Sequence, residues 1–332
     1  MEFNKLTEVP SLHQIKQAAQ QIQDIVLKTP LLYAPRLSES FGAKIFLKRE
    51  DLQGVRSYKI RGAYHKISNI PVDLRAQGVV AASAGNHAQG VALSCALLGI
   101  QAYIFMPKTT PLQKVEAVRF HGKEKVRIKL VGNTYDEAFA AAQTFCQQNH
   151  SIFIPPFDDY DIIAGQATVA LEIVDQLPTP ADFVLVAIGG GGLAAGASLV
   201  LHALSPQTKL IGVEPALAPS MSESLDAHQV VTLDSIDSFV DGASVKRVGE
   251  KTFGICEKSL DRMLVVEKKV LCQTMLDLYQ YYSMIVEPAG ALSVAALEQL
   301  RLDIEGKTVV CVISGGNFDT KRFPEISQLA KS

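Results

Sequence analysis

The sequence predicts an α/β protein built on parallel sheets, and three observations carry that expectation. From residue 79 onward, short apolar runs alternate with segments of helical periodicity. The runs are continuously apolar, as strands covered on both faces are, so helices are expected on either side of the sheet. The pattern restarts after Pro155-Pro156, which gives two α/β units with a soft boundary there.

Taken in order, Ser11 followed by Gln14 reads as a capping box opening a helix that runs to about Lys28, where Pro30 stops it. VVAASA is a strand, HAQGVALSCALLG a helix and AYIFMP a strand. TPLQKVEAVRFHG, RIKLVG, TYDEAFAAAQTFCQQN and SIFIPPF continue as helix, strand, helix and strand. In the second unit AGQATVALEIVDQL is helical, FVLVAI a strand, GLAAGASLVLHAL a helix and KLIGVE a strand. RMLVVE, the helices around CQTMLDLYQYY and ALSVAALEQL, and the strand TVVCVI complete it. There is no repeat of fixed period and no low-complexity segment.

Composition narrows the function classes. A net charge of −2 and the absence of Trp give no footing for a nucleic-acid or membrane-surface partner. The five cysteines (Cys95, Cys146, Cys256, Cys272 and Cys311) are scattered and form no CxxC pair. A disulfide framework or thiolate zinc site is therefore not expected, and a reducing, cytoplasmic setting is. The N-terminus has no apolar core and reads as no signal peptide. Residues 183–201 approach the length of a membrane span, but four glycines in the middle and a β-branched first half suit a buried strand, turn and helix better.

Ligands in open α/β sheets bind beyond the carboxyl ends of the strands. Three glycine-bearing loops fall there: Ser83-Ala84-Gly85-Asn86-His87, Gly189-Gly190-Gly191-Gly192, and Ser314-Gly315-Gly316-Asn317. The tetraglycine loop follows a strand and opens a helix, so its N–H groups and the helix dipole converge on one point suited to a phosphate. Gly189-x-Gly191-x-x-Ala194 also satisfies the dinucleotide pattern, with Glu214 where a ribose-binding acid would lie, so a nicotinamide cofactor is a rival on this loop alone. The Ser83 loop suits a carboxylate, or Ser83 and Asn86 merely cap a helix. His87 has no second histidine at metal-ligand spacing. Lys59, in SYKIRGA, reads from its neighbours as a surface lysine; a catalytic role needs burial that lowers its pKa and frees the amine.

Six blocks, in order along nearly the whole chain, resemble the biosynthetic threonine dehydratases (threonine ammonia-lyases), members of the fold-type II, tryptophan-synthase-like pyridoxal-phosphate (PLP) enzymes. They are LKREDLQGVRSYKIRGAY (47–64), ASAGNHAQGVA (82–92), GGGGLAAG (189–196), GASVKRVG (242–249), EPAGAL (287–292) and SGGN (314–317). The resemblance implies two parallel-sheet α/β domains with pyridoxal 5'-phosphate in the cleft between them. Residues 1–70 and 156–332 would form a large cofactor-binding domain, and 71–155 a small substrate-binding domain. Lys59 would carry the cofactor and act in catalysis. Gly189, Gly190, Gly191, Gly192 and Leu193 would wrap its phosphate, Asn86 would face the ring hydroxyl, and Ser314 the ring nitrogen. Ser83, Ala84, Gly85, Asn86 and His87 would receive the substrate carboxylate. The implied reaction is deamination of threonine, or possibly serine, to 2-oxobutanoate (from threonine) and ammonia, the first step of isoleucine biosynthesis, by a cytoplasmic homodimer or homotetramer.

Departures from the pattern sharpen the expectation. The similar serine racemases carry a second serine where this chain has Ala84, so racemisation should be minor. Relatives with a divalent cation carry an acid near position 220; Ser220 stands here, and no structural metal is expected. Tyr58 replaces the usual phenylalanine and brings a hydroxyl that needs a partner or water. The chain stops soon after Ser314, where many relatives continue into a regulatory domain, so feedback by isoleucine is expected to be absent.

Overall fold

The computed structural model describes residues 8–331. Among the described residues, ten strands form two sheets. β1 (Leu31–Tyr33), β2 (Lys44–Arg49), β7 (Phe183–Ala187), β8 (Lys209–Pro215), β9 (Arg262–Val266) and β10 (Thr308–Ile313) make one, in the order β1-β2-β10-β7-β8-β9. β3 (Val79–Ala82), β4 (Ala102–Met106), β5 (Val126–Leu130) and β6 (Ile152–Phe153) make the other, in the order β5-β4-β3-β6. Every pairing is parallel except that of the edge strand β1 with β2. The smaller sheet is thus inserted in sequence between β2 and β7. Pro155-Pro156 marks one of two crossings between the sheets, and the other falls between β2 and β3.

Alternate residues of the central strands explain why helices cover both faces. Leu185 of β7 and Val309, Cys311 and Ile313 of β10 join a core with Leu271, Leu292 and Leu297. Their neighbours Val184, Val186, Val310 and Val312 join a different one with Ile163, Ala167, Leu193 and Ala197. A strand buried this way has no solvent face, which is why its sequence is apolar at every position. Residues 183–201 are indeed a buried strand, a turn and part of the helix Gly192–Leu204. Among the described residues no helix is long and apolar enough to cross a membrane. All five cysteines are unpaired, and Cys95, Cys256, Cys272 and Cys311 are buried.

The first helix begins as expected, with the Ser11–Gln14 capping box formed, but spans only Leu12–Ile22. The amides of Ile25 and Val26 both turn onto the Ile22 carbonyl. Gln53 then brackets Leu27, accepting from its amide at 3.0 Å and donating to its carbonyl at 2.8 Å, which draws the backbone out of the helix well before Pro30. Residues 1–7, part of the segment read as lacking a signal peptide, lie outside the described residues.

Candidate active site

Lys59 opens a helix, Lys59–Ser68, wedged between the helices Asn86–Leu98 and Tyr160–Gln176. The wedge is possible because Gly62 meets Gly165: a Cβ on Gly165 would lie 2.5 Å from the Gly62 Cα. On the other side Gly90 packs against the Lys59 backbone, where an added Cβ would sit 3.2 Å from its carbonyl. In front, the Tyr58 amide donates to the Ser314 carbonyl at 3.2 Å, and Ser57 bridges Gly315. Lys59 is therefore held between the end of β10 and the helix that follows β3.

The Lys59 amine points into the cleft, half-buried, and donates to the Pro156 carbonyl at 2.8 Å. Burial pushes its pKa down to about 8, against the opposing pull of Glu287. The surface reading that its neighbours suggest is overturned by this packing.

Phe157, next in chain to Pro156, lines the tetraglycine turn. Gly191 has φ +93°, and a Cβ on Gly190 would come 2.1 Å from the Phe157 ring. Gly190 is fixed further by Thr252, whose hydroxyl donates to its carbonyl at 2.6 Å. The first helical bond runs from the Ala195 amide to the Gly191 carbonyl, so the amides of Gly192, Leu193 and Ala194 have no carbonyl one turn back. Together with the Gly189–Gly191 backbone they form a buried row of donors without side chains in the way, which fits a phosphate. Gly190→Ala is expected to displace Phe157 at a cost of about 1–3 kcal/mol. If the turn holds the phosphate of PLP, as the resemblance implies, the apo protein should then bind PLP roughly five- to 150-fold more weakly, as read by titration of visible absorbance.

The Ser83 loop closes the other side. Ser83 accepts from the Gly85 amide at 3.2 Å, and the first helical bond runs from Gln89 to Gly85, leaving the first-turn amides at Asn86, His87 and Ala88 available. Ala84 and Gly85 are partly exposed on this turn. The His87 imidazole is not available: it is buried, donates through Nε2 to the Ile154 carbonyl at 2.9 Å, and burial pushes its pKa down to about 3. Only its amide can serve a substrate. Asn86 is held by Asn317, which donates to its Oδ1 at 2.7 Å. Ser314 is buried and donates to the Ala289 carbonyl over a long 3.2 Å, a bond its hydroxyl can exchange for a ring nitrogen.

Glu214 does not stand where a ribose would need it. Its carboxylate is wholly buried and accepts from the amides of Met221 and Ser222 at 2.7 and 2.9 Å and from the Ser222 hydroxyl at 2.9 Å. The acid is thereby spent on the first turn of the helix Ser220–Asp226, and the nicotinamide alternative loses its second feature.

Three groups of functional consequence were not assigned from sequence. Glu287 lies buried beside Asn86, with its Oε1 2.6 Å from the Asn86 Nδ2. Burial, with Asp241 adding to it, pushes its pKa up to about 7, against the Asn86 hydrogen bond. Pro156 supplies the carbonyl for Lys59. Arg61, two residues into the Lys59 helix, is 1% exposed and bonds both Glu50 and Glu172.

The sequence family described as pyridoxal-phosphate dependent enzyme matches residues 22–315. The chain belongs to that family. Its cofactor is accordingly pyridoxal 5'-phosphate, and the glycine cradle and half-buried lysine fit it. The chain is 50% identical over 321 residues to the biosynthetic L-threonine dehydratase of Bacillus subtilis, covering 96% of this chain and 76% of that protein. Its fold is similar to the processed form of threonine deaminase isoform 2 from Solanum lycopersicum, with a TM-score of 0.91, 37% identity, and coverage of 99% and 92% of the two chains. Maize serine racemase is similar with a TM-score of 0.90 at 29% identity, covering 97% and 98%. The two-sheet α/β architecture is therefore that of the tryptophan-synthase-like PLP enzymes.

Proposed function

We propose that this chain is a threonine ammonia-lyase, removing water from L-threonine and releasing 2-oxobutanoate and ammonia. The observation that carries this reading is the convergence on Lys59 of the three strand-end loops: the phosphate cradle beside Phe157, the Asn86 turn, and Ser314 at the end of β10. PLP, when bound, supplies an electron sink for the substrate's α-carbon.

The chain's own residues do the rest. The amides of Gly189 to Leu193 would hold the phosphate. Asn86 would present an N–H to the ring hydroxyl, and Ser314 a neutral hydroxyl to the ring nitrogen. A neutral partner there would keep the sink weak, which suits elimination better than transamination. The amides from Ser83 to His87 orient the substrate carboxylate. The Lys59 amine, kept from full protonation by burial, takes the α-proton. Ala84 offers no hydroxyl on the opposite face, which argues against racemisation.

On this reading residues 1–70 and 156–332 bind the cofactor and residues 71–155 bind the substrate. The enzyme works in the cytoplasm as a homodimer or homotetramer, a state supported by exposed Leu32 and Tyr33 on the edge strand β1. The test is a keto-acid assay with L-threonine and L-serine side by side. Formation of 2-oxobutanoate at a rate at least equal to that of pyruvate is expected; serine turnover without threonine turnover would overturn the assignment.

A further inference from the structure

The EPAGAL block contributes to the resemblance but has no role in the reaction described above, and the structure places its first residue inside the cleft. Asn317 donates both amide hydrogens to acceptors, one to the Val55 carbonyl at 2.9 Å and one to the Asn86 Oδ1 at 2.7 Å. A carbonyl can only accept, so the Asn317 amide has one possible orientation. Asn86 must then present its oxygen to Asn317 and its NH2 group to Glu287, at 2.6 Å. One N–H hydrogen of Asn86 is left without a protein acceptor.

We propose that Glu287 is a positioning residue that, with Asn317, fixes the Asn86 amide so that this remaining hydrogen faces the cofactor ring. The proposal rests on the reading that Asn86 faces the ring hydroxyl. Without Glu287 the amide has a single anchor and turns more freely about its side chain. The carboxylate reaches Asn86 only because position 315 is glycine: a Cβ there would lie 2.2 Å from Glu287 Oε1. Glu287 is itself held at the start of the helix Pro288–Ala295, its amide donating to the Gly315 carbonyl at 3.3 Å. Asn86 follows a strand of the smaller sheet, whereas Asn317 follows β10 of the larger one and Glu287 precedes the helix Pro288–Ala295. The same hydrogen bonds therefore span the cleft.

The test is titration of apo protein with PLP for Glu287→Ala, Glu287→Gln and Asn317→Ala, following the visible absorption of the bound cofactor and the melting temperature of each apo form. Glu287→Ala is expected to weaken PLP binding about five- to tenfold, the worth of one ordinary hydrogen bond, and to shift the absorption maximum. Asn317→Ala should do the same. Glu287→Gln retains an oxygen for Asn86 and is expected to stay within about twofold of the parent in affinity, with an unshifted maximum. Equal impairment of the glutamine and alanine variants would assign the effect to the charge and overturn the proposal, as would a parental spectrum and affinity in Glu287→Ala. Asn86→Ala separates the two layers. If it leaves the spectrum unchanged, the underlying placement of Asn86 is wrong; if it shifts the spectrum while Glu287→Ala does not, only the positioning role falls.

Discussion

Replacing Lys59 with alanine is expected to lower threonine turnover by at least ~10³-fold while leaving the fold intact. The residue has two tasks on the proposed reading, holding the cofactor and taking the α-proton, and alanine performs neither. What the fold loses is small: one hydrogen bond to the Pro156 carbonyl, in a cleft where water can replace it. Burial has already pushed the amine to about pKa 8. At pH 7 about a tenth of it would be neutral, against roughly three parts in ten thousand for an ordinary lysine. The neutral amine is the base, so the parent's activity should rise with pH up to about 8 wherever proton removal limits the rate. Steady-state rates from pH 6 to 9, with circular dichroism of the variant, check both statements. A folded Lys59→Ala protein that keeps a tenth of the parent's activity would remove Lys59 from the chemistry.

The sheet architecture is legible in the sequence because burial on both faces makes β7 and β10 continuously apolar. The tetraglycine turn between β7 and its helix is legible too, since four successive glycines cannot continue a strand or a helix for long. β2 is not, for a physical reason: Lys44–Arg49 carries three cations and lacks the continuous apolar run of the other central strands, yet Lys48 is fully buried. All three of its ammonium hydrogens are satisfied, by the Thr29 carbonyl at 2.7 Å, Glu172 at 2.5 Å and Gln176 at 2.9 Å. Those partners lie up to 128 positions away, beyond the reach of any local pattern.

The same distance hides Lys59. SYKIRGA looks like surface, and Lys59 is drawn into the cleft by glycine contacts with helices that begin much later in the chain. Only the resemblance over six blocks singles it out as a candidate, because that resemblance carries tertiary information which spacing does not. Glu287 shows the limit of this route. Its block is recognisable, but its task depends on Asn86 and Asn317, which no linear motif joins.

Arg61→Leu is expected to cost about 3–5 kcal/mol of stability and roughly 4–7 °C in Tm. Arg61 meets Glu50 through two parallel bonds of 2.8 and 2.7 Å and Glu172 through bonds of 2.7 and 3.0 Å, and also bonds the Thr168 hydroxyl at 3.0 Å. With Lys48 it balances two carboxylates with two cations in a site where Arg61, Glu50 and Lys48 are essentially inaccessible. Leucine leaves those carboxylates with Lys48 alone. A cavity of ≈ 270 Å³ borders Arg61, Thr168 and Glu172, so water can reach Glu172 and holds the loss to this range. Arg61→Lys should fall between, since an ammonium has three donors and no fork to span both acids. The pH dependence follows from Glu50. In the parent, burial would raise its pKa, but Arg61 holds it below the usual range, so the pair's contribution is present above the unfolded value and fades as pH falls. In the variant the unpaired acid is raised instead, and its penalty grows as pH rises past the unfolded value. The Tm gap between parent and Arg61→Leu should thus be widest near pH 8 and narrowest near pH 5. Adding Glu50→Gln to Arg61→Leu should recover part of it at pH 8, because the buried charge is gone. A gap under 2 °C at pH 8, or one that widens on acidification, would show that the cluster does not hold the Lys59 helix in place.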